Sequence, residues 1–180
     1  MSETAAGWLA GRTPAEAAIE TVWGHGLHRL TLSLHATTDP TPDALTTSVR
    51  GVLFRRGGVM VVRDPGADHV IPGGRREAGE TLEATLAREI AEETGWTYAS
   101  ARPFAAMHFR HETPKPEGYQ YPYPDFFQRL YVLEAADHDR RRIVRDGWES
   151  RSRLMPIGRA LSILAPAQTA ILRLALAARL

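Results

Sequence analysis

The sequence predicts an α/β fold in which helices pack on a mixed β-sheet. After residue 45, several segments show the apolar alternation and flanking turn signals of strands. One segment just before Gly95 has helical spacing of its apolar residues, and two more helical segments stand near the C-terminal end. A chain that combines such strands and helices favours a sheet covered by helices.

Length and composition bound the class of protein. The 180 residues suggest one domain that is long enough to bury a sizeable core. The net charge of +1 provides no strong field to attract DNA or an anionic membrane. Cysteine is absent, which excludes disulfides, a thiol nucleophile and thiolate metal sites. No apolar run approaches a membrane span and the first residues lack a signal-peptide pattern, so we expect a cytoplasmic location.

The N-terminal part is interpreted as an extension, residues 1–45, on a domain that spans residues 46–180. Residues 13–16 (TPAE) predict a helix start, because a Thr N-cap followed by Pro is typical of one. This helix is expected to end at the glycines before residue 27. Residues 27–35 alternate apolar and polar side chains and predict a strand, and residues 36–44 predict a turn-rich connector.

The next elements are a hairpin and a short strand. Residues 48–56 and 59–64 flank Gly57-Gly58, which predicts two antiparallel strands joined by a tight turn. Residues 68–74 (DHVIPGG) predict a short strand that runs into a glycine-rich turn. The amphipathic helix from about residue 80 follows.

The rest of the chain predicts two strands and two helices. Strands are predicted at residues 97–112 and 125–135, with the Pro- and Tyr-rich loop 113–124 between them and a polar connector at 137–150. Residues 157–180 predict two helices separated by a proline. Aliphatic side chains cover much of the second helix, and either core packing or a homodimer contact would bury them.

The amphipathic helix carries an unusual acidic cluster. Glu89, Glu92 and Glu93 lie within one turn, just before Gly95. Carboxylates at this spacing repel one another, and the C-terminal end of a helix favours cations instead. A sequence chosen only for stability would not place them there.

Two of these carboxylates lie beside the apolar stripe of the helix. Leu82, Leu86 and Ile90 form the stripe, and Glu89 and Glu93 fall next to it on a helix of 3.6 residues per turn. Partly desolvated carboxylates need a positive partner, and ligands that are all oxygen suit Mg²⁺, Mn²⁺ or Ca²⁺. A solvated acidic face is the alternative, and spacing alone leaves both open.

The loop before the helix, residues 71–74 (IPGG), adds to this interpretation. Its two glycines allow backbone groups to approach a ligand or a metal closely. An ordinary strand-to-loop turn is the alternative for this short stretch taken alone.

Together these residues resemble the Nudix box. That motif is Gly, five residues, Glu, seven residues, Arg-Glu, an apolar residue, any residue, Glu-Glu, any residue, Gly and an apolar residue. The specific resemblance covers residues 71–96, a looser one covers 48–165, and the final apolar residue is bulkier here than usual. The matching residues are Gly74, Glu80, Arg88, Glu89, Ile90, Glu92, Glu93, Gly95 and Trp96.

The resemblance implies a Nudix fold, an α/β/α sandwich with a mixed β-sheet and a loop-helix-loop box. It implies Mg²⁺-dependent hydrolysis of the diphosphate linkage in a nucleoside diphosphate derivative. By position, Glu89, Glu92 and Glu93 would be the metal ligands, with the carbonyl of Gly73 or Gly74 as a further ligand.

The remaining roles follow from the same resemblance. Arg88 and Glu80 would orient the ligands, and Gly95 would end the helix. Glu89 is the first candidate for the general base that takes a proton from water. Asp146 and Glu149, in the polar connector, are alternative bases outside the box.

One candidate substrate contact is Gly73, directly before the first glycine of the box, and the others lie further away in the sequence. Tyr121 and its neighbours Tyr119 and Tyr123 would stack on a base or sugar if their loop folds over the substrate, and a polyproline-like surface loop is the alternative. Arg63 would reach a phosphate or would simply be an exposed strand end.

Two histidine pairs have the spacing of half a metal site on a helix, His25 with His28 and His108 with His111. The second pair lies in a predicted strand, and neither pair has a third partner nearby in sequence. We therefore do not assign them as ligands.

Two other functions remain as alternatives. A non-catalytic Nudix-fold domain would bind a nucleotide without cleaving it, although such domains often have eroded boxes and this box is intact. Isopentenyl diphosphate isomerases share the fold and resemble one another in using a catalytic Cys, which this chain lacks. The expected partner is a small nucleotide, such as a nucleoside triphosphate, a nucleotide sugar or a dinucleotide polyphosphate, with no DNA and no membrane. A capped RNA end is the alternative substrate, although a net charge of +1 offers little attraction for a polymer.

Overall fold

The structure is a computed structural model that describes residues 3–23, 28–64, 67–144 and 151–179. Two 3₁₀ turns lie at Asp43–Leu45 and Arg140–Arg142. The helices and strands are, in chain order, α1 (Ala5–Leu9), β1 (Ile19–Trp23), β2 (His28–Ala36), β3 (Thr46–Arg55), β4 (Gly58–Asp64), β5 (Ala67–His69), α2 (Leu82–Thr94), β6 (Trp96–His111), β7 (Asp125–His138), β8 (Arg151–Pro156), α3 (Ile157–Ile163) and α4 (Pro166–Arg179).

Within the described residues, the strands form one mixed sheet. Its order is β1-β2-β6-β7-β3-β4-β5, and β8 pairs with the edge of β4 opposite β5, because Val62 and Arg63 of β4 pair with both strands. β3 and β7 are parallel, and every other pair is antiparallel. β3 lies at the centre of the sheet, where its first half leaves one edge free for the loop that precedes α2.

Helices cover both faces of the sheet, which confirms the predicted α/β fold. The alternation along β3 divides the core, because Val49 and Leu53 face α2 whereas Val52 and Phe54 face α3 and α4. Ile171, Leu172 and Ala175 of α4 are buried in the second half of the core. Core packing therefore accounts for much of the aliphatic surface of α4.

Most predicted elements are confirmed, including β2, the β3–β4 hairpin, α2, β6, β7 and the helix–proline–helix end. The helix predicted to start at residues 13–16 is wrong, because this stretch is irregular and Ile19–Trp23 is a strand. Residues 19–23 pair with residues 28–32 of β2, and Ala15 N–H donates to the Leu34 carbonyl at 2.7 Å. Long-range strand pairing thus outweighed a local helix-start signal.

Two elements were not predicted. α1 has only five residues, too few for a periodic pattern, although Thr4 caps it by accepting from Gly7 N–H at 3.2 Å. β8 contains alternating Arg and Ser and ends at Pro156, so it has little strand signal of its own and exists through pairing with β4. No helix among the described residues combines the length and apolarity needed to cross a membrane.

The first 45 residues contribute two strands to this sheet. β2 pairs along β6, and its Leu30 and Leu34 are buried in the core. Trp8 of α1 packs edge-on against Phe127 of β7, with ring centroids 4.9 Å apart. This segment thus packs against the strands that follow it.

Candidate active site

The loop before α2 is held along the first half of β3. Gly51 N–H donates to the Pro72 carbonyl at 2.9 Å, and Val49 N–H donates to the Gly74 carbonyl at 3.1 Å. Gly73 has a φ of +135°, and a Cβ there would overlap the Val49 carbonyl oxygen. Only glycine fits at this position, so the loop stays close to the strand.

Local signals define both ends of α2. The Thr81 side chain accepts from Ala84 N–H at 3.1 Å and caps the start. Gly95 ends the helix in the left-handed region, with a φ of 73°. Leu86 and Ile90 are fully buried against the sheet, which fixes the face that α2 turns towards the loop.

Two of the three acidic side chains reach the glycine loop. Glu93 Oε2 accepts from Gly73 N–H at 3.1 Å. The Glu89 carboxylate lies directly against Gly74, where a Cβ would overlap it. Glu92 lies further out, with about a third of its side chain exposed (35%). The absence of side chains in the loop therefore lets the carboxylates approach the backbone.

Arg88 connects the acidic residues. Its Nε and Nη2 donate to both carboxylate oxygens of Glu80 at 2.8 and 2.9 Å. Its Nη1 donates to Glu89 at 2.8 Å and to Glu92 at 3.2 Å. Its Nη2 also donates to the Arg75 carbonyl at 3.0 Å. This fork ties the start of α2, its acidic turn and the glycine loop into one network.

Burial and hydrogen bonds shift the pKa values of the carboxylates in different directions. Desolvation raises the pKa of Glu93 to about 7, although the nearby charge of Arg50 and the Gly73 N–H oppose it. Desolvation also raises the pKa of Glu89. Hydrogen bonds from Arg88 lower the pKa of Glu80 to about 2. Perturbed carboxylates in a cleft are a common sign of a functional site.

The donor set fits a hard divalent cation. Among the described residues, no three His, Asp or Glu side chains already converge on one point that would hold a metal ion. Glu89, Glu92 and Glu93 nevertheless each use one carboxylate oxygen, and the second forms no hydrogen bond within the described part of the chain. Three carboxylates on one turn, next to the half-buried backbone of Gly74, are ligands that suit Mg²⁺ or Mn²⁺.

A polar cavity of about 340 Å³ lies beside the glycine loop. Tyr121, a predicted substrate contact, lines it together with Tyr119 and Arg75. The Tyr121 hydroxyl accepts from Arg75 Nη1 at 2.7 Å, and the guanidinium carbon lies 4.4 Å from the centre of the ring. Tyr123 instead donates to the Thr113 carbonyl at 2.7 Å. The Pro- and Tyr-rich loop therefore folds over one side of the site.

Arg63 and the alternative bases are placed differently. Arg63 lies at the end of β4, with its Nε 3.0 Å from Asp68 Oδ1, and it does not line this cavity. Asp146 and Glu149 lie outside the described residues.

The histidines of the predicted pair in β6 lie on opposite faces of the sheet. His108 and His111 point to opposite sides of β6, and His108 pairs with Asp125 at 2.8 Å. His111 lies instead beside His28, with ring centroids 5.7 Å apart, and both line the polar cavity. His25 lies outside the described residues.

Arg50 is a site residue that the sequence analysis missed. It is half-buried in β3, lines the polar cavity, and lies close enough to Glu89 and Glu93 to lower the pKa of each. The available signal was a charged residue between Val49 and Gly51, inside an otherwise apolar central strand. A charge at such a position usually has a specific partner or a function.

Comparison with known proteins agrees with this geometry. A family model described as the NUDIX domain matches residues 44–174. A Bacillus subtilis (strain 168) protein named "Putative ADP-ribose pyrophosphatase YjhB" is 31% identical over 83 residues, which cover 46% of this chain and 38% of that protein. The chain therefore aligns with well under half the length of that relative.

Solved structures of low sequence identity share the fold. The Bacillus subtilis pyrophosphohydrolase BsRppH, at 15% identity, superposes with a TM-score of 0.59 over 88% of this chain and 94% of that one. A NUDIX hydrolase from Nitrosomonas europaea, at 16% identity, gives a TM-score of 0.55 over 74% and 90%. Since the family model covers most of the chain, including the glycine loop and the acidic helix, this protein belongs to the Nudix family.

Proposed function

We propose that this protein is a Mg²⁺-dependent hydrolase that cleaves the diphosphate linkage of a small nucleoside diphosphate derivative. The observation that carries the proposal is the acidic turn of α2, whose Glu89 and Glu93 are partly buried against Gly73 and Gly74. Three carboxylates in this position suit a cationic partner better than a purely structural role, because their mutual repulsion is costly.

The proposed ligands of Mg²⁺ are Glu89, Glu92 and Glu93, with the carbonyl of Gly74 as a further ligand. When bound, the ion would neutralise the diphosphate and lower the pKa of the attacking water, and Mn²⁺ would substitute for it. Arg88 holds Glu89 and Glu92 in place. The three glutamates would thus present to the metal and its substrate the carboxylate oxygens that form no hydrogen bond.

The proposed chemistry is water attack on phosphorus. Glu89 takes the proton of the attacking water as general base. A new P–O bond forms as the bridging P–O bond of the anhydride breaks, and the leaving phosphate keeps the bridging oxygen. The products from a nucleoside diphosphate derivative are a nucleoside monophosphate and the phosphorylated remainder.

The experiment is a hydrolysis panel with product identification. Nucleoside triphosphates, nucleotide sugars, dinucleotide polyphosphates and ADP-ribose are incubated with Mg²⁺, with Mn²⁺ and with EDTA. ADP-ribose is included because of the name of the 31%-identical relative. The proposal expects metal-dependent release of a nucleoside monophosphate from at least one class. Tight nucleotide binding with no cleavage under either metal would instead favour the non-catalytic sensing domain.

A further inference from the structure

The two outer strands of the sheet differ in how they protect their free edges. Within the described residues, β1 pairs only with β2 and β8 pairs only with β4, so each leaves one backbone edge without a strand partner. β8 carries Arg151 and Arg153 and ends at Pro156, and charged residues and proline hinder the addition of another strand. β1 (IETVW) contains neither proline nor a basic residue, and Glu20 is its one charge. β1 is therefore the less protected edge.

β1 also exposes apolar side chains on both faces. Ile19 is 45% exposed and Val22 is 56% exposed, and they lie on opposite faces because side chains alternate along a strand. Ile19 also lines an apolar groove of about 930 Å³ together with Leu32 and Leu174, so the apolar surface continues beyond the strand itself. A free strand edge with apolar side chains on both faces is a surface that a further strand can cover.

The edge of β1 is complementary to itself. Two copies that meet in antiparallel orientation around Thr21 would place Thr21 opposite the partner's Thr21, and Glu20 opposite the partner's Val22. This register opposes no like charges. The net charge of +1 adds little repulsion between whole molecules. A second copy of this chain therefore fits the edge.

The strand next to β1 adds a charge complement to this pairing. Val22 lies opposite Arg29 of β2, so the same register would place Glu20 in one cross-strand row with the partner's Val22 and the partner's Arg29. Neighbouring strands are ~4.8 Å apart, so the Cα atoms of Glu20 and the partner's Arg29 would be about 10 Å apart, within reach of two long side chains. Within one copy, the Glu20 carboxylate is 3.6 Å from Arg29 Nη2, and both side chains are mostly exposed. Both are thus able to pair across the interface.

We propose that β1 is the interface of a homodimer in which two copies pair edge to edge and join their sheets across a two-fold axis at Thr21. The interface is isologous, because each copy contributes the same strand. Pairing of strands this short buries less than the ~1,200–2,000 Å² of a standard interface, so the dimer is weak, with a Kd on the order of 10 µM. The proposal goes beyond the proposed function and does not depend on it, since neither metal nor substrate takes part.

Sedimentation equilibrium over protein concentrations from about 1 to about 200 µM, which bracket this Kd, tests the dimer. We expect the mass of the wild type to rise from 19.9 kDa towards twice that value as the concentration increases. Ile19→Lys and Val22→Lys should each raise Kd about tenfold or more, because a charge on a free edge opposes strand addition. Both side chains are exposed, and thermal melting verifies that each variant is folded.

Leu154→Lys is the matched control for these two variants. Leu154 is an apolar residue of similar exposure, 41%, on the other outer strand, β8. The substitution introduces the same charge at an edge that the proposal leaves without a partner. It should therefore leave Kd at the wild-type value.

Single cysteines test the register. The chain contains no cysteine, so in a variant with one cysteine any disulfide between chains joins the same position of two copies. Opposed Cα atoms of an antiparallel pair are about 4.5–5.5 Å apart, which is within the range of a disulfide. Thr21→Cys should therefore form a covalent dimer when diamide oxidises the two thiols to one disulfide. Ile19→Cys should crosslink much less, because it lies opposite the partner's Trp23 and the two cysteines are roughly 14 Å apart along the strand.

A wild type that stays at 19.9 kDa at the highest concentration would overturn the proposal. A dimer that survives unchanged in folded Ile19→Lys and Val22→Lys would also overturn it, since the interface would then lie elsewhere. Equal crosslinking of Thr21→Cys and Ile19→Cys would refute the register around Thr21. Metal-dependent hydrolysis by a protein that is monomeric throughout would refute the dimer alone, and a dimer without hydrolysis would refute the hydrolase proposal alone.

Discussion

At the scale of single residues, the missing side chain of Gly74 defines where the Glu89 carboxylate lies. A Cβ at Gly74 would overlap that carboxylate, which is the movable end of a side chain and would swing away. We expect Gly74→Ala to keep the fold and to lower turnover by about 10²-fold, because small misplacements of catalytic groups are costly. Gly158→Ala is the control, since a Cβ there meets open space in α3. Equal turnover in steady-state kinetics of both variants would show that this close approach is not needed.

The burial of Glu93 makes the stability of the protein depend on pH. Its pKa is raised from 4.5 to about 7 by burial, so the folded state binds this proton more tightly than the unfolded state. The stabilisation that comes from this tighter proton binding is fully present below pH 4.5 and is lost as pH rises through 7. In EDTA, Glu93→Gln should therefore gain up to about 3 kcal/mol over the wild type at pH 8 and only about 1 kcal/mol at pH 5. Urea unfolding at both pH values measures the difference in free energy of unfolding between the variant and the wild type. An equal difference at both pH values would contradict the burial of Glu93.

At the scale of elements, Gly51 sets the distance between α2 and β3. A Cβ at Gly51 would meet the side chains of Leu133 and Ile90. Its N–H also holds the glycine loop through Pro72. Gly51→Ala should cost about 1–3 kcal/mol of stability through overpacking and should lower turnover as well, measured by thermal unfolding and kinetics. Gly57→Ala, in the open hairpin turn, is the control, and a Gly51→Ala variant as stable as this control would argue against close packing.

The sequence predicted well the elements that are marked by neighbouring residues, such as helix caps, apolar stripes and terminal glycines. α2 has a Thr81 cap, an apolar stripe and a Gly95 stop, so its position and its acidic turn could be predicted from neighbouring residues alone. β1 and β8 exist because of partners far away in the chain, and a helix-start pattern near β1 was misleading. Arg50 was missed for the same reason, since its role depends on what the fold brings beside it.

At the scale of the whole molecule, the first 45 residues complete the sheet. Removal of residues 1–45 would leave β6 as an exposed edge and would remove Leu30 and Leu34 from the core. We expect a chain of residues 46–180 to aggregate or to melt well below the 180-residue chain, as measured by size-exclusion chromatography and thermal unfolding. A chain of residues 13–180, which loses α1 but keeps β2, should remain monodisperse. If the chain of residues 46–180 melts at the same temperature as the 180-residue chain, residues 1–45 are a dispensable extension.

The central claim is that the acidic turn of α2 carries a metal-dependent hydrolytic site. The most direct measurement is kcat of Glu93→Gln beside Glu83→Gln, with Mg²⁺ and the best substrate of the panel. Glu83 lies exposed on the same helix, so its variant matches the change in charge without touching the site. The account predicts that Glu93→Gln loses about 10²- to 10⁴-fold in kcat while it remains folded, because it removes a ligand of the metal, and that Glu83→Gln keeps the wild-type value. Wild-type turnover by Glu93→Gln would contradict it.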